Sequence, residues 1–551
     1  MRDTHEGSHT VGRRVADVLA SFMLVLAAVL VGLMALTAPF VTSFYNDIRM
    51  DGVGPDTSEL VSVANTGLFT VFALPALVAI LLLAVYIGLS RRLRSLPWQP
   101  VAAISVAVIV VLGALWVTAL RTDTFIYADS LRLDTYARAL LTGDRDAFSA
   151  NLGDGISYLQ IYPFQSGSVW LLAGLYTLFG VGNQLPFQLL NVAAVGVAAA
   201  SLIAITQLLF SSRAVTDTVS LLLVMFLPLP LSAVLVYGNA IGFGLIALNV
   251  ALNVAAMRAT AHPRRRWALF GVSCVVLACA LTIKSTFVLV LIALVLTWFI
   301  VLLRERRLLL MLAVLAGVLA ANAVAGLPVA ALEGAVGVDF GDGMPKTSWI
   351  AMGLEWSITL NRPGWWSPDF ALHFAGVSGD ADLQNAFALQ HIGWSLATFL
   401  RDPAFALQFF SMKLMSEWLD PTFQSLYYSA CGVSESTPAL VRELIVCGRD
   451  LNGVVLVYLD GLQSLLYLAG VVGIACTIRH RRELPAAALL PIVSFLGGFA
   501  CYLLWEAKSV YVLPFALLLM PFAAYGLSSV AGAVRACADD AAGFDVREAS
   551  R

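Results

Sequence analysis

The chain has 551 residues, of which 60% are hydrophobic and only 12% charged, with a net charge of −2 and a mean hydropathy of +0.85. A soluble domain carries about 25% charged residues. These values exclude a soluble multidomain protein and a disordered chain, and with no basic domain they exclude a nucleic-acid binder. The chain reads as an all-α polytopic membrane protein bound to a lipid bilayer.

A helix needs about 20 apolar residues to cross a bilayer. Twelve runs qualify: 15–43, 67–90, 100–120, 186–210, 217–236, 240–257, 267–283, 285–303, 308–330, 453–478, 486–504 and 509–530. The first is too long for a signal-peptide core and has no clear cleavage site, so it reads as an anchor. With twelve crossings, the basic turns at Arg91, Arg92 and Arg94, at Arg213, at Arg258 with Arg264–Arg266, at Arg304, Arg306 and Arg307, and at Arg479, Arg481 and Arg482 all fall on one side. The positive-inside rule makes that side cytoplasmic, together with both termini. The apolar segment Ser168–Val181 must then lie along or dip into the outer interface, for which Trp170, Tyr176 and Phe179 suit it. If it crossed instead, a later hairpin would be misread.

The organisation expected is a three-span segment 1–120, a first extracytoplasmic loop 121–185 with juxtamembrane helices, a six-span bundle 186–330, a second extracytoplasmic loop 331–452, a three-span segment 453–530 and a cytoplasmic tail 531–551. Long ordered loops tend to carry function, which places the chemistry outside the cytoplasm.

The first loop opens Thr122-Asp-Thr-Phe-Ile-Tyr-Ala-Asp129. Apolar residues at 131, 133, 137, 140 and 141 then predict a short amphipathic helix ended by Gly143. Its polar face carries Arg132, Asp134 and Arg138, and Asp129 and Ser130 stand where a helix cap belongs. Next come Tyr158-Leu-Gln-Ile-Tyr-Pro-Phe-Gln-Ser-Gly167 and Leu178-Phe-Gly180, with Pro163 suited to a helix start. Gln165 is placed to bond a sugar or a backbone group.

An acidic residue just after a span, a juxtamembrane helix closing on Gly-Asp, Tyr-Pro-x-x-x-Gly and Leu-Phe-Gly resemble membrane glycosyltransferases of the GT-C fold. The nearest likeness is the bacterial family 39-like branch, related to protein O-mannosyltransferases and lipid A aminoarabinose transferases. Tyr237-Gly-Asn239, Ser348-Trp-Ile-Ala-Met-Gly353 and Trp505-Glu-Ala-Lys-Ser-Val-Tyr511 extend the resemblance over roughly 120–530. The acidic loop follows the third span here, whereas in the better-known members it follows the first.

The resemblance implies a bacterial plasma-membrane enzyme of cell-envelope synthesis, taking a sugar from a polyprenyl-linked donor to a glycan, lipid or protein acceptor on the outer face. Carried over, Asp129 is the general base, with Asp123 and Asp134 as rivals. Lys508 is the cation for the leaving phosphate, and Lys284, in a very short outer turn, is the second candidate; interfacial snorkelling is the alternative for both. Glu506 orients Lys508, binds sugar or forms a simple ion pair. Tyr511, Tyr162, Gln165 and Arg138 complete the expected substrate-binding set, with Arg138 also in reach of Asp134 at i+4.

In the second loop, Glu355 and Trp356 suit sugar binding, with interface anchoring as the alternative for the Trp. His373 and His391 have no ligand spacing around them, so no protein-held metal is expected. No cofactor is expected beyond a divalent cation should the donor be a pyrophosphate. The segment 402–418 reads as an interfacial amphipathic helix. Cys431 and Cys447, the two of seven cysteines in an outer loop, are expected to form a disulfide. The alternative functions are a transporter or flippase of a lipid-linked saccharide, and a non-catalytic envelope subunit.

Overall fold

The computed structural model describes residues 3–46, 60–65, 97–121, 128–149, 156–357, 362–480 and 485–533, with isolated helical positions at Leu77, Leu81 and Val85. The expected run 67–90, Arg91, Arg92, Arg94, Asp123, Arg481, Arg482 and nearly all of the tail 531–551 lie outside the described residues.

Among the described residues, nine helices are long and apolar enough to cross a bilayer: Gly12–Thr37, Trp98–Ala119, Leu185–Phe210, Gly238–Arg258, Pro263–Ile283, Ser285–Glu305, Leu308–Val336, Asp450–Arg479 and Ala486–Leu504. Two more stretches are helix pairs, Arg213–Met225 with Pro228–Val234 bent by 50°, and Ser509–Leu517 with Met520–Ala533 bent by 52°. Each falls on one of the expected runs. Proline explains both bends, since it lacks a backbone N–H and its ring clashes with the preceding turn. Pro228 and Pro230 stand at the first break, and Pro514 and Pro521 flank the second. Large apolar side chains such as Val18, Phe22 and Val25, or Leu312 and Leu319, are exposed along helix faces. That is the surface of a chain whose solvent is lipid, and the protein is a multi-pass membrane protein. Where two helices must approach closely, small residues allow it. A Cβ on Gly473 would stand 1.8 Å from the carbonyl oxygen of Phe522.

The first run does not stay helical to residue 43. Its helix ends at Thr37, and Val41–Asn46 pairs antiparallel with Leu60–Asn65, Val41 opposite Asn65. Pro39 interrupts the helix, and Val41-Thr-Ser-Phe-Tyr45 favours an extended chain. A second, two-residue pairing joins Trp356–Ser357 to Arg362–Pro363.

The two long connecting segments gather at one end of the bundle with Tyr237 and Lys284, around a core that includes Tyr136, Tyr158, Phe187 and Tyr427. The Arg266–Glu305 and Arg304–Asp17 ion pairs mark the other end. The segment Ser166–Phe179 is a 14-residue helix, and Pro403–Trp418 has 16 residues. Neither is among the crossing helices. The latter is not amphipathic in the expected sense: Lys413, Ser416 and Glu417 face inward, buried, while Leu407 is exposed.

The expected Cys431–Cys447 disulfide is not formed. Cys431 serves as a small core residue beside Tyr427, Tyr428 and Ile445. The segment is closed by hydrogen bonds instead, from Arg442 to the carbonyl of Ser434 at 2.9 Å and from Asn452 to that of Leu444 at 3.1 Å.

Candidate active site

The helix Ala128–Thr142 ends before Gly143, whose φ of +72° suits glycine. It buries Leu133 and Ala137 as its apolar pattern predicts, but leaves Leu131 and Leu141 exposed. Asp129 is in the first turn, where helix N-terminal N–H groups favour a carboxylate. It is half-buried, within the helix rather than capping it. Ser130 Oγ donates to the carbonyl of Val236 at 2.8 Å, which draws this turn towards Tyr237.

Tyr158 OH donates to Asp129 Oδ1 at 3.1 Å. Tyr158 starts a helix, Tyr158–Ile161, that is fixed by a capping box between Ser157 and Gln160. Its backbone N–H donates to Tyr136 OH at 3.2 Å. Pro163 then opens a single 3-10 turn leading into Ser166–Phe179, and Gln165 Nε2 donates to Tyr237 OH. Burial, then the negative charge of Asp129, pushes the Tyr158 and Tyr237 phenols well above their usual range. Both stay protonated as donors.

Lys284 caps the C-terminus of Pro263–Ile283 in an extended conformation, where cations are favoured. Its Nζ lies 4.2 Å from the Tyr237 ring centroid and 4.8 Å from that of Tyr511. Such faces attract an ammonium. Burial pulls Lys284 down to about 8, opposed by Asp129 and reinforced by Lys508; Glu506 also opposes the fall.

Lys508 and Glu506 come from the segment between Ala486–Leu504 and Ser509–Leu517, and Lys508 Nζ is 5.9 Å from the Tyr511 ring. The Ala507 N–H donates to the Gly364 carbonyl at 2.7 Å, and the Gly364 N–H to that of Glu355, also at 2.7 Å. Lys413 Nζ donates to the carbonyls of Gly353, Trp505 and Leu503. Gly353 is required at this crossing, because a Cβ there would stand 2.2 Å from the Leu504 carbonyl oxygen.

Asp129, Tyr162, Gln165, Lys284, Glu506, Lys508 and Tyr511 all line one cavity of about 930 Å³. Three of the chain's four lysines (284, 346 and 508) line it, and the fourth, Lys413, holds a segment of its wall. Tyr158, Tyr237, Arg132, Asp342 and Lys346 line it too, although no site role was expected of them. Trp349 and Trp505 stack at 5.9 Å in its aromatic wall. Tyr237 had a signal, standing in the quoted Tyr-Gly-Asn motif. Asp342 and Lys346 had none.

Three expected residues are elsewhere. Arg138 Nε donates to both Asp134 oxygens at 2.8 Å, and Tyr176 OH donates to Asp134 as well. Asp134 is five residues beyond Asp129, about 140° round a helix, which takes both it and Arg138 off the cavity. Glu355 is hydrogen-bonded to His391, and Trp356 packs on Phe405 and Phe409. His373 Nδ1 meets Gln384 Oε1 at 2.7 Å. Among the described residues no three His, Cys, Asp or Glu side chains gather as a metal-binding cluster.

No protein-family model and no curated protein matches the chain. Among solved structures it is similar to the oligosaccharyltransferase AglB from Archaeoglobus fulgidus, in complex with an inhibitory peptide and a dolichol-phosphate, at 15% identity and a TM-score of 0.40 over 77% of this chain. It spans half the length of that protein. It is also similar to ArnT from Cupriavidus metallidurans in the apo state, at 15% identity and a TM-score of 0.34. The same protein bound to undecaprenyl phosphate gives 14% and 0.32, and both ArnT matches cover 77% of each chain.

Proposed function

We propose that this protein is an integral membrane glycosyltransferase of GT-C type, moving a sugar from a polyprenyl-phosphate-type donor to an acceptor outside the cytoplasm. The observation that carries the reading is the convergence of Asp129, Lys284 and Lys508 on one cavity at one end of an apolar helix bundle. A carboxylate and two cations are what transfer from a phosphate leaving group needs.

In this reading the acceptor hydroxyl or amine gives its proton to Asp129 as its oxygen or nitrogen bonds to the anomeric carbon. The bond from that carbon to the phosphate oxygen breaks, and the electron pair leaves with the phosphate. Lys284 and Lys508 hold that growing negative charge as point charges. Tyr158 orients Asp129 through its hydrogen bond, and the Tyr237 and Tyr511 rings keep Lys284 in place. The basic turns Arg258, Arg266 and Arg304 belong to the end of the bundle away from the cavity, which by the positive-inside rule supports an outward-facing site.

The test is transfer by purified protein from a panel of synthetic polyprenyl-phosphate sugars. Asp129→Asn is expected to abolish transfer while leaving expression and folding unchanged. Substantial transfer by that variant overturns the role of Asp129. Flipping of a lipid-linked saccharide in proteoliposomes, insensitive to Asp129→Asn and without transfer, overturns the enzyme assignment.

A further inference from the structure

A second cavity, of about 620 Å³, is lined by Arg13, Asp17, Ser21 and Leu24 together with Arg304, Thr477 and the 485–489 segment. It is at the other end of the bundle. Thr286, just before the helix Val288–Glu305, lines the Asp129 cavity, and Arg304 near its C-terminus lines this one. Eighteen residues of helical rise are about 27 Å, close to the thickness of a bilayer's hydrocarbon core.

The lining has two characters. Arg13, Asp17 and Ser21 repeat every four residues along one face of the first helix, and Arg304 and Thr477 join them. Leu24, Ala488 and Leu489 make the remainder apolar. Arg304 Nη2 donates to Asp17 Oδ1 at 2.7 Å, and the Arg304 side chain is only 25% exposed. Its Nε is buried with no hydrogen-bond partner among the described residues, which is a costly state for a guanidinium. Among the described lining residues, one carboxylate faces two guanidinium groups, a positive balance.

We propose that this cavity binds the phosphate headgroup of an anionic membrane phospholipid. Arg13 and Arg304 take the phosphate oxygens, a role suited to the planar guanidinium fork. The glycerol and upper acyl chain lie against Leu24, Ala488 and Leu489. Basic recesses between transmembrane helices bind such headgroups. The site is separate from Asp129 and does not depend on the proposed transfer reaction.

The test is native mass spectrometry of the full-length protein with added phosphatidylglycerol or phosphatidylcholine. Phosphatidylglycerol is expected to be retained in preference. The double variant Arg13→Gln/Arg304→Gln is expected to weaken that retention by roughly fivefold per guanidinium. Asp17→Asn keeps both guanidinium groups and removes the competing carboxylate, so it is expected to strengthen retention. Equal retention of the two lipids, or no change in either variant, overturns the proposal. Displacement of the lipid by excess inorganic phosphate at constant ionic strength also overturns it, assigning the cavity to a soluble anion.

Discussion

Lys413 Nζ donates to the carbonyl oxygen of Trp505 at 2.7 Å, from a side chain with no solvent exposure. Its other two hydrogen bonds reach Gly353 at 2.6 Å and Leu503 at 3.1 Å. An ammonium has three N–H donors, and here all three are used. The Trp505 carbonyl immediately precedes Glu506, so this buried cation fixes the backbone that delivers Glu506 and Lys508 to the cavity. Burial pulls Lys413 down to about 8, with Glu417 opposing. Burial pushes Glu417, one turn on, well above the carboxylate range, with Lys413 opposing.

Replacing Lys413 by Met is expected to leave three carbonyls, one of them fully buried, short of a donor, destabilising the fold by about 3 kcal/mol. Transfer should fall by at least tenfold even at temperatures where the variant remains folded, because Glu506 and Lys508 lose their position. Thermal unfolding monitored beside transfer rates checks this. A variant with the lower melting point and unchanged turnover would assign Lys413 to stability alone.

Alkaline pH should weaken donor use. Lys284 is a cation below about 8 and neutral above it, so a phosphate loses one partner as pH rises through that value. The measurement is kcat/KM for the donor against pH, which reports free-enzyme groups. The alkaline limb is expected near 8 and to be absent from the residual activity of Lys284→Met. If the limb persists unchanged in that variant, it belongs to Lys413, which burial also holds at about 8.

Tyr158→Phe removes the hydrogen bond to Asp129 while keeping the ring packed beside Tyr162, whose centroid is 4.9 Å away. One side-chain hydrogen bond is worth about 1 kcal/mol, or a five- to tenfold loss of kcat. Donor KM should hardly move, since in the proposed reaction Asp129 serves the acceptor. Steady-state kinetics with saturating acceptor decide it, and a raised donor KM at full kcat would remove Tyr158 from the proton-transfer step.

Arg138→Ala tests a structural role. The Arg138 side chain is 46% exposed and its partner Asp134 is buried, so solvent discounts the pair, and a loss of about 1 kcal/mol is expected. The readout is a modest fall in melting temperature with transfer kinetics unchanged. A selective rise in donor KM would return Arg138 to the substrate-binding set.

The sequence resolved the helices better than it resolved the site. Runs such as 240–257 and 308–330 announce themselves because a helix that crosses a bilayer must be apolar over its whole length. Asp129, Lys284, Lys508, Glu506, Tyr511, Tyr162 and Gln165 were legible as chemistry-bearing residues in family-like segments. Arg138, Glu355 and Trp356 looked equally suitable, and nothing local distinguished them. Arg138 is on the same short helix as Asp129 but at the wrong phase. Glu355 contributes its backbone carbonyl to the Gly364 turn while its side chain turns to His391.

Hydropathy and helical period describe neighbours along the chain, and they sufficed for the described crossing helices and the short helix that carries Asp129. Bringing positions 129, 284 and 508 into one cavity depends on how helices far apart in the chain pack, so the tertiary structure alone decided it. The same holds for Lys413. Its segment reads as an interfacial amphipathic helix, but three carbonyls from two distant segments are what make a buried ammonium tenable there.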